Sequence, residues 1–268
     1  MGRVVPIVAV LLVLLALQGG ADADSSRTRR TRIDRFLISV AGEGVFLVDL
    51  KGQPIWSFRC DPYDACEAGR GRILITDRRA GRVYIVTREG KTVWQKAGLR
   101  GPVNAELLEN GNVLVVENDP GRVVELGQGG ETVREFVGHV TPFDARRRSN
   151  GNTIVADSGN HRIVEIDLRG SIVREACGLK FPNSVTPLPD GRALFTTYTN
   201  GTVGEIAADG SLLWERKLGG TLYAAASEGD VLWVADGTGG RVLQMTREGT
   251  VLQEIRVGKT FLDLAFCR

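Results

Sequence analysis

Short apolar runs, broken by Gly, Asn and Asp, recur along this chain at a nearly fixed interval. Lined up on one glycine, six segments are copies of one phrase: FLISVAGEGVFLVDLKGQPIW, ILITDRRAGRVYIVTREGKTVW, VLVVENDPGRVVELGQGGETVR, TIVADSGNHRIVEIDLRGSIVR, ALFTTYTNGTVGEIAADGSLLW and VLWVADGTGGRVLQMTREGTVLQ. The anchoring glycines are Gly52, Gly90, Gly130, Gly170, Gly210 and Gly249, a period of 38 to 40 residues. Such a period marks one supersecondary unit copied in tandem. The runs are β-branched or apolar and end in turn residues, so they read as strands joined by tight turns, and no copy carries a helical period.

The copy anchored on Gly170 resolves into four strands: one starting near Pro142, then Thr153–Ala156, Arg162–Ile166 and Ser171–Arg174. Four-stranded units of about 40 residues are the composition of β-propeller blades. The first copy lacks an innermost strand, because nothing strand-like precedes Asp34, while TFLDLAFCR follows the last copy as an orphan. The expected fold is therefore all-β: a six-bladed propeller of four-stranded antiparallel blades, closed by the C-terminal strand joining the first blade. Closure of this kind removes the exposed edges of an open array.

The repeats serve as controls for one another. Five positions apart, at the end of strand two and the start of strand three, stand Asp77/Arg82, Glu117/Arg122, Asp157/Arg162 and Asp236/Arg241. Where the acid is missing the base is missing too, as Val40/Val45 and Thr197/Thr202. Paired loss predicts that the two side chains meet across each turn, since one such charge left partly buried and alone costs more than deleting both. These acids are read as structural.

The chain has 268 residues and the repeats fill 34–268, leaving no room for a second domain. A formal charge of +2 argues against nucleic acid as a partner. Met1-Gly2-Arg3, the apolar stretch Val4 to Leu17 and Ala21-Asp22-Ala23 read as a signal peptide over 1–23, cleaved after Ala23. Fourteen apolar residues fall short of the roughly 20 a spanning helix needs, so no transmembrane span is expected after cleavage. Residues 24–33, with four arginines and no apolar partner before Ile33, read as a basic disordered linker.

The phrases NGNTIVADSGNHRIVEIDLRGSIV and NGNVLVVEND resemble NHL-type and arylsulfotransferase-type propeller repeats. The phrases running from Asp49 to Trp56 and ending at Trp94 look like the tryptophan-docking repeats of PQQ-binding-like propellers, with a less regular copy ending at Trp214. The resemblance implies that these tryptophans pack between neighbouring blades. It covers almost the whole mature chain but speaks for architecture, because such propellers host enzymes, scaffolds and sensors alike. Arylsulfotransferases work through a histidine nucleophile with further histidines nearby, whereas this chain has only His139 and His161. The insertions of the larger PQQ dehydrogenases are missing. Propeller lactonases hold a divalent ion with a Glu/Asn/Asp set in the central channel, and only that chemistry leaves a trace here.

Fourteen residues past the anchoring glycines stand Asn104, Asp144, Ser184, Ala224 and Asp263, and Asp64 takes the same place after a two-residue shortening. Strand one lines a propeller's channel, so these groups are expected to converge at one mouth. Two readings stand side by side. Asn104, Asp144 and Asp263 would suit Ca²⁺, a cation that wants several oxygens; alternatively, the short side chains bond to their own backbone where the chain enters the strand. His139, Arg146 and Arg148 are expected near the same mouth. No HExxH, GxSxG or phosphate-cradling GxxxxGK[ST] occurs. Cys60 and Cys66, in CDPYDAC, are expected to form a disulfide in an exported protein, while the pairing of Cys177 and Cys267 stays open.

The turns are short and uniform, unlike the reaching loops that propeller enzymes use. The sequence thus predicts a periplasmic or secreted monomer that binds or scaffolds a protein or envelope polymer, with no cofactor expected. The alternative is a lactonase-like, metal-dependent hydrolase or lyase with a divalent ion at the channel mouth.

Overall fold

A computed structural model describes residues 33–69, 71–139 and 141–267; the expected signal peptide and nearly all of the basic linker lie outside the described residues. Six four-stranded antiparallel sheets form the blades of a ring. The innermost strands are Asp263–Cys267 in blade one, then Asp64–Glu67, Pro102–Leu107, Asp144–Arg147, Pro182–Pro187 and Leu222–Glu228 in blades two to six. Asp263–Cys267 pairs with Arg35–Val40, bringing Asp263 opposite Ser39 and Cys267 opposite Arg35. This is the predicted closure.

Six apolar clusters make up the core, each shared by two adjacent blades. A middle strand is therefore covered on both faces, which is why its sequence runs apolar instead of alternating. Ile73–Asp77, Val113–Glu117, Thr153–Asp157 and Ala193–Thr197 are buried at every position. One boundary moves: Ile33, placed in the linker by the sequence, is fully buried between blades six and one. Its apolar side chain ends the linker one residue early.

Each anchoring glycine has positive φ, from 80° at Gly52 to 101° at Gly249, and follows a turn closed by its own N–H three residues back. A residue in that conformation is the usual partner of a β-bulge, and all six blades shift register where strand three meets strand four. The fixed point of the sequence repeat is thus a backbone requirement.

The four predicted ion pairs form, with Arg Nε to carboxylate distances of 3.2 Å (Asp77/Arg82), 2.5 Å (Glu117/Arg122), 2.7 Å (Asp157/Arg162) and 2.9 Å (Asp236/Arg241). Arg122, Arg162 and Arg241 also reach a glutamate on strand four.

The pair in blade two is the loosest of the four. The Arg82 side chain is 41% exposed, against 20 to 31% for the other three arginines, and its contact with Asp77 is the longest of the four. The cause is the residue opposite. Gln95, neutral, faces Tyr84 in the register where Glu135 faces Val124, and the Arg82 guanidinium lies 4.5 Å from the Tyr84 ring centroid. Asp77 keeps its structural role, since it is buried and also accepts from the Ala80 amide at 2.9 Å.

In blade five, the Thr202 amide donates to Thr197 Oγ1 at 3.0 Å. A neutral side-chain-to-backbone bond does the work of the ion pair there.

Candidate functional site at the channel

In register, Asp64 lies opposite Thr76, Asn104 opposite Val116, Asp144 opposite Ala156, Ser184 opposite Thr196, Ala224 opposite Ala235 and Asp263 opposite Ser39. In five blades the opposing residue precedes the strand-two member of the turn pair; in blade one it precedes Val40. The six positions are therefore equivalent, as the spacing predicts. All but Asp64 line one cavity of about 360 Å³ to which every blade contributes, and Asp64 is buried just behind Asn104.

The bonds these side chains make differ from both sequence readings. Asp64 Oδ2 accepts from the Ala105 amide at 3.1 Å, and Asp144 Oδ2 accepts from the Val185 amide at 2.9 Å. Each carboxylate thus ties its blade to the inner strand of the next blade, not to its own backbone. Asp144 Oδ1 faces Arg146 Nε at 3.0 Å, and Glu106 Oε2 accepts from the Arg147 amide at 2.8 Å.

Burial dominates the electrostatics. It pushes Asp144 above the usual carboxylate range although Arg146 pulls the other way, and it raises Glu106 against the same arginine. Asp263 is held well above that range, first by burial and then by the charge of Asp64, with which it shares a hydrogen bond. Burial works against the charge on Arg146, but Asp144, Glu106 and Asp64 together outweigh it and raise the guanidinium. The channel is a desolvated acid cluster with one cation in it.

This arrangement does not suit the Ca²⁺ reading of Asn104, Asp144 and Asp263. Asp144 accepts from the Val185 amide and pairs with Arg146, and Asp263 is bonded to Asp64, so these residues do not offer the several free oxygens that Ca²⁺ wants. Among the described residues, no group of three or more His, Cys, Asp or Glu is placed to hold a metal ion.

Two expected mouth residues lie elsewhere. His139 is buried with Nδ1 3.6 Å from Asp157, and Arg148 pairs with Glu165 at 3.0 Å, past the far end of its inner strand. Only Arg146 of that trio, two residues beyond Asp144 and on the same strand face, lines the channel.

The cysteines are free, which corrects the expected disulfide. Cys60 packs in the cluster between blades one and two. Cys66 packs between blades two and three, its Sγ donating to Ala105 O at 3.3 Å. Strand alternation sends Ala65 to the first cluster and Cys66 to the second, so the short loop does not bring the two sulfurs together.

An aromatic collar at the mouth escaped the sequence reading. Tyr63, Phe143 and Tyr223 each precede a channel position, and Tyr198 follows Thr197 at the turn of blade five. Phe143 stacks on Tyr198 at 6.3 Å between centroids, and Tyr198 meets Tyr223 edge-on at 6.1 Å. The signal was present in the repeat one register before the polar positions, where those three blades carry an aromatic residue.

Trp56 and Trp94 dock as the resemblance implies. Their Nε1 atoms donate to Arg88 O at 2.8 Å and Gln128 O at 2.9 Å in the next blade. Trp214 also packs against the cluster shared by blades five and six, but its Nε1 donates to Glu205 of its own blade.

No family model and no curated protein matches the chain. Solved structures do. A protein of unknown function from Bacteroides caccae aligns with TM-score 0.73 and 15% identity, over 87% of this chain and 98% of that one. A virginiamycin B lyase from Staphylococcus aureus, a catalytically inactive histidine-to-alanine variant with quinupristin, gives 0.61 and 20% over 74% and 70%. BamB from Moraxella catarrhalis gives 0.53 and 18% over 84% and 73%. At these identities the likeness is one of fold: a six-bladed β-propeller with a lyase and BamB among its structural neighbours.

Proposed function

We propose that this chain is an exported, non-enzymatic binding propeller of the cell envelope whose ligand seat is the central channel. The observation that carries this reading is the cavity itself: about 360 Å³, walled by all six blades and rimmed by aromatic rings. That volume is within the range of small-molecule sites. Asp64 and Asp144 are committed to blade-to-blade bonds and an ion pair, which favours holding a ligand over transforming it. The lyase neighbour loses activity when one histidine becomes alanine. Here neither histidine lines the cavity: His139 faces Asp157, and His161 packs edge-on against Phe181. Export, and with it the envelope role, rests on the signal-like residues 1–23. Among the described residues no helix is long and apolar enough to cross a membrane.

The test is mass spectrometry of the chain purified from an exporting host without chelator and then incubated with a small-metabolite extract. The expected result is a polypeptide beginning at Asp24 that retains organic compounds chemically unchanged, and an Ala224→Trp variant, its cavity filled, that retains none of them. Compounds consumed in excess of the protein, or a stoichiometric metal, overturn the binding reading. Equal retention by Ala224→Trp overturns the channel as the seat, and an N-terminus still at Met1 overturns export.

A further inference from the structure

Resting on that reading of the channel as the seat, we infer that its ligand carries a primary ammonium group on an apolar or aromatic body, with the ammonium among the channel acids and the body against the aromatic collar. Three independent observations lead there.

The first is charge. The side chains facing one another at this level are Asp64, Glu106, Asp144 and Asp263 against Arg146, four carboxyl groups and one base; with Asp263 holding its proton the balance is −2. Glu67, also on the lining, is already met by Arg35 at 3.4 Å and Arg88 at 3.6 Å. Arg146 is occupied by Asp144 and does not balance the remainder.

The second is an acceptor left without a donor. Asn104 lines the cavity and is only 5% exposed; its Nδ2 faces Asp64 at 3.5 Å, and its Oδ1 has no hydrogen-bond partner. Buried acceptors are rarely left so. An ammonium head brings three donors and no acceptor, which matches a site rich in oxygens.

The third is the collar. Ring faces attract cations, and the mouth already displays this, since the Arg78 guanidinium lies 5.3 Å from the Tyr63 centroid. Tyr198 and Phe143 supply further π-surface, with Tyr198 45% exposed and free to meet a ligand. A carboxylate ligand would gain only Arg146 and would meet four acids.

Three probes sharing one body and differing in head charge decide the matter: phenethylammonium, 2-phenylethanol and phenylacetate, titrated into the full mature chain by calorimetry. Phenethylammonium is expected to bind at least tenfold more tightly than either of the others. Tyr198→Ala, a change at a half-exposed side chain, and Asn104→Leu are each expected to weaken it about tenfold while the other two probes change little. Thermal unfolding checks that both variants are folded; should Asn104→Leu fail to fold, Tyr198→Ala alone is decisive. Phenylacetate or the alcohol binding as tightly as the ammonium, with loss in Tyr198→Ala, sinks the charge class and leaves the channel seat standing. Ammonium binding that neither variant alters sinks the assigned site. No binding by any probe sinks both the inference and the channel reading beneath it.

Discussion

Asp144 and Asp263 occupy the same position of the repeat, yet they live in different company. Asp144 has an arginine beside it and an amide bonded to it, whereas Asp263 has another carboxyl. Burial, aided by Asp64, therefore makes the folded chain bind the Asp263 proton more tightly than the unfolded chain does. That contribution to stability is fully present below the ordinary carboxylate range and is lost as pH rises through the raised value. Asp263→Asn puts a neutral isostere in place of the acid and removes the loss. The expected result is a stability gap in the variant's favour that opens as pH rises above the ordinary carboxylate range, by up to about 1.4 kcal/mol per pH unit until the raised value is passed. Urea unfolding across a pH series reads it, and parallel curves for the two proteins would refute the assignment. The equivalence of the six positions was legible because spacing alone sets it. Their partners were not, because Ala105, Val185 and Arg146 reach them only when blades meet around an axis.

Turns tell the same story with a backbone cause. The second-to-third-strand turn ends in a left-handed residue, Gly121 in blade three and His161 in blade four, with φ of 78° and 55°. A side chain on Gly121 would run into the His139 carbonyl, its Cβ only 2.2 Å from that oxygen. His161 bears the conformation with its ring packed on Phe181 at 4.3 Å and its carbonyl accepting from the Leu179 amide at 2.9 Å. Gly121→Ala is expected to cost about 2 kcal/mol or more, and His161→Gly less than about 1 kcal/mol, in chemical denaturation. Equal costs at the two sites would contradict this account. The repeat marked both positions, and the misreading of Cys60 and Cys66 arose at the same scale. Sequence distance measured the loop, while strand alternation decided which cluster each sulfur enters.

For the whole molecule, the fold was readable almost in full, since a fixed period with one orphan strand leaves a closed ring as the economical solution. The channel was readable in its polar members and missed in its collar, where Tyr63, Phe143 and Tyr223 read as ordinary strand residues until the ring turns them to one mouth. Closure rests on Asp263–Cys267, with Leu264 buried between blades one and six and Cys267 between blades one and two. Truncation after Leu262 is expected to lower stability on the order of 5 kcal/mol or more, comparable to all that a domain has. Size-exclusion chromatography and thermal unfolding would show aggregation and a lost transition; an unchanged Tm would mean the ring stands without its last strand. The same pairing has a consequence in time. Blade one begins first and is completed by a strand synthesised after the other five blades. A chain threading out of a ribosome or an export pore holds three strands waiting for a fourth until that segment emerges. Emergence of that strand is thus itself the signal to fold, and a chain stalled before it announces its incompleteness to proteases by the same unfilled place.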